Sequence, residues 1–79
     1  MNTSRDVLQA AILSDREHAV LRLLADGMTA RAIAARLNIR VSTVYTYIRR
    51  IYQKLDVTTR PQAVRAAVSL GLVEPLDCE

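Results

Sequence analysis

Residues 41–55 read Val41-Ser42-Thr43-Val44-Tyr45-Thr46-Tyr47-Ile48-Arg49-Arg50-Ile51-Tyr52-Gln53-Lys54-Leu55. At the helical period of about 100° per residue, Val44, Ile48, Ile51 and Leu55 fall in one narrow apolar stripe, which predicts a helix packed along one side. The opposite side carries Ser42, Thr46, Arg49, Arg50 and Gln53, with Tyr45 and Tyr47 at its two borders, and the segment contains no carboxylate. A face that serves only solubility usually mixes both charge signs. Hydrogen-bonding groups, cations and aromatics without an anion point instead to an anionic partner, and the helix reads as one that recognises DNA.

Charge elsewhere in the chain supports this placement. The net charge is only +3, but residues 40–60 hold Arg40, Arg49, Arg50, Lys54 and Arg60 against Asp56 alone. Residues 1–39 nearly balance five Arg with four acids, and residues 61–79 set Arg65 against Glu74, Asp77 and Glu79. The positive field therefore centres on the segment that lacks carboxylates, the distribution expected of a nucleic-acid-binding chain.

Upstream, Thr29 opens a predicted helix reaching about Leu37, with Ile33, Ala34 and Leu37 inward. Ala30, Ala32, Ala34 and Ala35 leave it little bulk, which permits close approach of a neighbour. Asn38 is the non-glycine residue best able to take positive φ, so a sharp turn is expected over residues 38–40. Two helices joined so tightly form a helix-turn-helix, in which the second helix enters the major groove and the first lies across the backbone. Further back, Ser14-Asp15-Arg16-Glu17 is a capping box: the Ser14 hydroxyl takes the Glu17 amide while the Glu17 carboxylate returns to the Ser14 amide. The helix it starts runs to about Ala25, buries Val20, Leu21, Leu24 and Ala25, and ends at Gly27. His18, the lone histidine, is expected on an exposed early turn. With no Cys, His or carboxylate constellation beside it, no metal or catalytic role follows.

Downstream, Thr59 is a good N-cap with Gln62 as its capping-box partner, and Pro61 fits a first turn, where its missing amide is harmless. This last helix reaches about Leu70 and stops at Gly71. Ala63, Ala67 and Leu70 form one edge, Val64 and Val68 another, and Gln62, Arg65 and Ser69 a polar strip. So wide an apolar arc suits either two surfaces, one for the core and one for a second subunit, or a helix sunk in a groove of its own domain. Leu72 and Val73 are expected to pack back as a clasp, ahead of an acidic, frayed tail over residues 74–79.

Residues 1–12 form an N-terminal extension in which Ser4 could cap a short extra helix over Arg5–Ala11. Cys78 is the sole cysteine and lies in the last two residues, so no disulfide staples this small domain and a reduced, cytoplasmic setting is expected. No apolar run approaches about 18 residues and the N-terminus lacks signal-peptide order, which excludes a membrane partner at this level of reading.

Several linked segments resemble one family. Leu13-Ser14-Asp15-Arg16-Glu17, the stretch from Val20 to Thr29, Ile33-Ala34, Leu37-Asn38-Ile39, Thr43-Val44, Lys54-Leu55, Ala63-Val64 and Leu70-Gly71-Leu72-Val73 are similar, in order, to the LuxR-type, or GerE-like, DNA-binding domain. The resemblance covers about residues 13–73 and implies an all-α, compact four-helix domain whose third helix reads the major groove and whose fourth forms a dimer contact, here through Val64 and Val68.

By this resemblance Tyr45, Thr46 and Arg49 touch base edges of double-stranded DNA. Ser42, Thr43, Arg50 and Lys54 hold phosphates, together with Thr29 and Arg31 at the start of the second helix. Arg49 suits bidentate recognition of guanine O6 and N7, and Thr46 can bond a base edge or touch a thymine methyl, such contacts being worth about 1–3 kcal/mol of discrimination. RNA polymerase is a further candidate partner. The family often has a small capping residue where Arg40 stands, so the third helix is expected to begin at Val41 or Ser42. It also usually carries an N-terminal phosphoreceiver or ligand-binding domain, for which twelve residues leave no room. The chain then reads as a stand-alone regulator, which Met1 favours, or as a fragment of a larger one.

The alternative from another class is a protein-interaction module, an anti-activator that keeps the fold but turns its exposed tyrosines toward a protein. No paired carboxylate, metal set or activated nucleophile supports an enzyme, and no cofactor is implied.

Overall fold

Ser14 begins the first element of the computed structural model, which describes residues 13–73. Its hydroxyl accepts the Glu17 amide at 3.0 Å and Glu17 Oε1 accepts the Ser14 amide at 2.9 Å, so the expected capping box is complete. Helix α1 spans Asp15–Ala25, α2 Ala30–Leu37, α3 Val41–Leu55 and α4 Arg60–Ser69, with no strand among the described residues. The fold is thus a compact all-α domain of four helices. None of them is long and apolar enough to cross a membrane. The extra helix expected over Arg5–Ala11, the acidic tail and Cys78 lie outside the described residues.

Three of the four starts are capped by a hydroxyl. Thr29 accepts the Ala32 amide at 3.1 Å, and Thr59 with Gln62 forms a second capping box. The exception is Arg40, which precedes α3 in extended geometry and gives no side-chain cap, so α3 begins at Val41.

All four helices end alike. Gly27, Asn38, Asp56 and Gly71 take positive φ at 87°, 59°, 58° and 74°. Each is followed by an apolar residue whose amide reaches back to a carbonyl of the last turn: Met28 to Leu23, Ile39 to Ala34, Val57 to Tyr52 and Leu72 to Ala67, at 2.8–3.1 Å. These are Schellman motifs, which satisfy carbonyls the helix leaves unpaired. Asn38 was expected in this role and Asp56 was not.

Helices α1 and α3 are the central pair, each touching all the others, whereas α2 and α4 do not meet. Val20, Leu21, Ile33, Val44, Ile51, Ala63 and Ala67 are completely buried, and Leu24, Ala25 and Ala34 nearly so. Burying each large side chain contributes about 1.5–3 kcal/mol. Ala63 and Ala67 supply almost no bulk, which lets α4 lie close against the core. Val64 and Val68 are half-buried, packed against the same core with part of each residue still open, as are Ile48, Leu55 and Leu72. Val73 is buried, so the expected C-terminal clasp forms.

His18 departs from expectation. It is half-buried, and its Nε2 donates to the Leu72 carbonyl at 2.9 Å. A carbonyl only accepts, so Nε2 carries the hydrogen and the ring fastens the chain's return to the first turn of α1.

Candidate nucleic-acid interface

The outer face of α3 follows from its inner one. Val44 and Ile51 are seven residues apart, two turns on the same side, and both are fully buried. With these two fixed in the core, Ser42, Tyr45, Thr46, Arg49, Arg50 and Gln53 must face out, and all six are exposed. Tyr45 is 57% exposed and is the large hydrophobic residue that the described domain leaves open to solvent. A helix of fifteen residues is about 22 Å long, and its diameter fits the major groove of B-form DNA.

Thr46 does not project as an unconstrained hydroxyl. Its Oγ1 donates to the Ser42 carbonyl at 3.2 Å, one turn back along α3. Arg49 and Arg50 are exposed and hold no ion pair among the described residues. Tyr47, at the other border of the face, is half-buried and packs on the core, so the aromatic content of the outer surface rests on Tyr45. Thr43 is half-buried at the shoulder of the helix. At the start of α2, Thr29 and Arg31 are both exposed, and Thr29 receives the Ala32 amide without giving up its own hydroxyl hydrogen.

Two cations of the basic segment are engaged within the domain. Lys54 Nζ lies 2.7 Å from Glu17 Oε1, joining the last turn of α3 to the capping box of α1. Glu17 is 3% exposed. Burial by itself would raise its pKa, but the Lys54 ammonium and the Ser14 amide and hydroxyl outweigh this and hold it below the usual glutamate value. Arg60 reaches from the start of α4 to the carbonyls of Leu24, at 3.0 Å, and Met28, closing the turn between α1 and α2. Both residues counted toward the positive cluster in the sequence. In the fold the outward cations of residues 40–60 are Arg40, Arg49 and Arg50.

Of the residues expected on the DNA side, Ser42, Tyr45, Thr46, Arg49 and Arg50 come together on one exposed face. Thr29 and Arg31 sit on a separate helix start, and Lys54 points its charge to Glu17. Sequence reasoning passed over Arg40 as a contact candidate, although it was part of the charge cluster. It is exposed and lies immediately before α3.

Comparison with known proteins agrees with this geometry. The family model described as bacterial regulatory proteins, luxR family, matches residues 11–67. The chain is 43% identical over 65 residues to a probable transcriptional regulatory protein NarL of Mycobacterium tuberculosis, with 82% of this chain and 30% of that protein aligned. It is 41% identical over 63 residues to the transcriptional regulatory protein DesR of Bacillus subtilis, covering 80% of this chain and 32% of DesR. To the HTH-type transcriptional regulator MalT of Vibrio cholerae it is 35% identical over 65 residues, which is 82% of this chain and 7% of MalT. The chain thus spans less than a third of the length of these relatives. It belongs to the LuxR (GerE) family of helix-turn-helix DNA-binding domains of transcription regulators, a family without enzymatic activity.

Proposed function

We propose that this chain acts as a sequence-specific transcriptional regulator in the cytoplasm, binding double-stranded DNA with α3 in the major groove. The observation that carries the reading is the exposed face of α3, where Tyr45, Thr46, Arg49 and Arg50 stand together with no carboxylate among them. Arg49 forms the bidentate contact to guanine, and Tyr45 and Thr46 contact neighbouring base edges. Ser42, Thr43 and Arg50 hold phosphates beside the helix, and Thr29 and Arg31 do so from the start of α2. Lys54 joins this set only by sharing itself between a phosphate and Glu17. Two copies meet through Val64 and Val68, so the site is two-part. RNA polymerase is a further candidate partner.

The test is a binding selection from random duplexes at two salt concentrations, with wild type and Arg49→Ala. A two-part motif, a steep loss of affinity with salt and relaxation of one base position in Arg49→Ala are expected. A one-part motif removes the dimer from the proposal. No retained duplex at low salt removes DNA reading altogether and turns attention to the exposed Tyr45 as a protein contact.

A further inference from the structure

Thr46 stands at the middle of the outer face of α3, and its side chain is partly committed. The hydroxyl donates to the Ser42 carbonyl at 3.2 Å. A threonine hydroxyl has one hydrogen, so no donor remains for a base. The oxygen is turned back onto the helix's own preceding turn, as in other threonines that bond the carbonyl four residues earlier. What the exposed side chain still offers is an oxygen that can only accept and its methyl group, next to the open ring of Tyr45 in the chain. In the major groove the apolar feature of a base edge is the C5 methyl of thymine.

We infer that Thr46 selects thymine through methyl contact and not through its hydroxyl, so that the shape of the side chain, and not its polarity, determines this position of the target. The inference rests on the DNA-reading function proposed above and specifies one base of its target. It makes Thr46 interchangeable with valine, which has the same branched outline and no hydroxyl, and not with serine, which keeps the hydroxyl and loses the methyl.

The experiment takes the motif selected by wild type and measures binding of wild type, Thr46→Val and Thr46→Ser to that duplex and to versions in which each thymine in turn is replaced by deoxyuridine. One position is expected where deoxyuridine weakens wild type and Thr46→Val about fourfold, the worth of about one buried methyl group. Thr46→Ser should bind the thymine and deoxyuridine duplexes equally there, and Thr46→Val should bind the unmodified motif as well as wild type. The inference is overturned if Thr46→Val loses the base preference while Thr46→Ser retains it, or if no thymine replacement weakens wild type although a motif is recovered. Failure to recover any motif overturns the DNA-reading function itself, a result distinguishable from these two.

Discussion

Helices α1 and α3 both begin after an extended residue and both occupy the centre of the domain, yet they finish their ends in opposite ways. α1 has a complete capping box, Asp15 and Glu17 in its first turn and Arg22 in its last, so each charge complements the helix dipole. α3 starts behind Arg40, with no side-chain cap and no acid in its first turn, and it ends at a carboxylate, Asp56, in left-handed geometry. A cation at the positive end and an anion at the negative end both oppose the dipole, and among its terminal charges only Lys54 complements it. The comparison teaches where each helix obtains its stability. α1 is stable through its own ends and lends that order to the rest. α3 is held by Val44 and Ile51 in the core, and its start carries Arg40 with no acid to offset it. On the DNA-reading function proposed above, an acid placed there to cap the helix would face phosphates. Local rules are commonly broken in this way where a surface has a second task.

Removing the strongest device of α1 should have the largest effect. Glu17→Ala deletes both the acceptor for the Ser14 amide and the ion pair to Lys54, and a loss of about 2–3 kcal/mol in a urea unfolding experiment is expected. Glu17→Gln keeps an acceptor for the amide and removes only the charge, so it should lose less and should change the pH dependence. The carboxyl is held below its ordinary value in the folded state, so its contribution is complete above the ordinary value of about 4.3 and disappears as pH falls through the lower, folded one. In Glu17→Gln this part of the acid-induced loss of stability should be missing. An acid limb identical to wild type would show that Glu17 is not the group that α1 depends on.

The next largest effect concerns α3 and has opposite signs in two assays. Arg40→Asp supplies the missing cap and should stabilise the domain by about 1 kcal/mol. The same change replaces an outward cation by an anion beside the reading face and should weaken DNA binding about tenfold at low salt. A variant both more stable and equally tight would separate the helix's poor start from its function. At the other end, Asp56→Gly relieves a left-handed, non-glycine residue and removes a carboxylate from the negative end of the dipole. A gain of roughly 0.5–1 kcal/mol in thermal unfolding is expected. DNA affinity should change little, because Asp56 lies beyond the last turn of α3, away from Tyr45, Thr46 and Arg49. A loss of stability would show that the Asp56 side chain makes its own contribution.

Much of this architecture was legible because it is local. Ser14 with Glu17 and Thr59 with Gln62 announce helix starts across four residues, and the seven-residue interval from Val44 to Ile51 sets which way α3 turns. The helix ends were also written locally, as a glycine or asparagine followed by an apolar residue, in Gly27-Met28, Asn38-Ile39 and Gly71-Leu72. Asp56-Val57 follows the same form with a residue that less often adopts positive φ, and so passed unnoticed. What could not be read is long-range. Lys54 meets Glu17 across 37 residues, and Arg60 meets Leu24 and Met28 across 36 and 32. Charge counting placed both cations with the DNA-facing group, since nothing in a sequence distinguishes an arginine that caps distant carbonyls from one in solvent. Val64, Val68 and Tyr47 are half-buried, a position compatible with either arrangement left open for α4 and with the border of the α3 face expected for Tyr47.

The bond from His18 to the Leu72 carbonyl spans 54 residues and has a consequence for how the domain can be attached to anything else. It brings the entry to α1 and the end of the clasp to one corner, so segments joined ahead of residue 13 and behind residue 73 would leave from neighbouring points. Two modules fused directly at residues 13 and 73 would be held at high effective concentration with respect to each other, whatever α3 is bound to. The same closeness makes the described domain, residues 13–73, suited to circular permutation, with residues 13 and 73 joined by a short linker and new ends opened in the loop between α3 and α4.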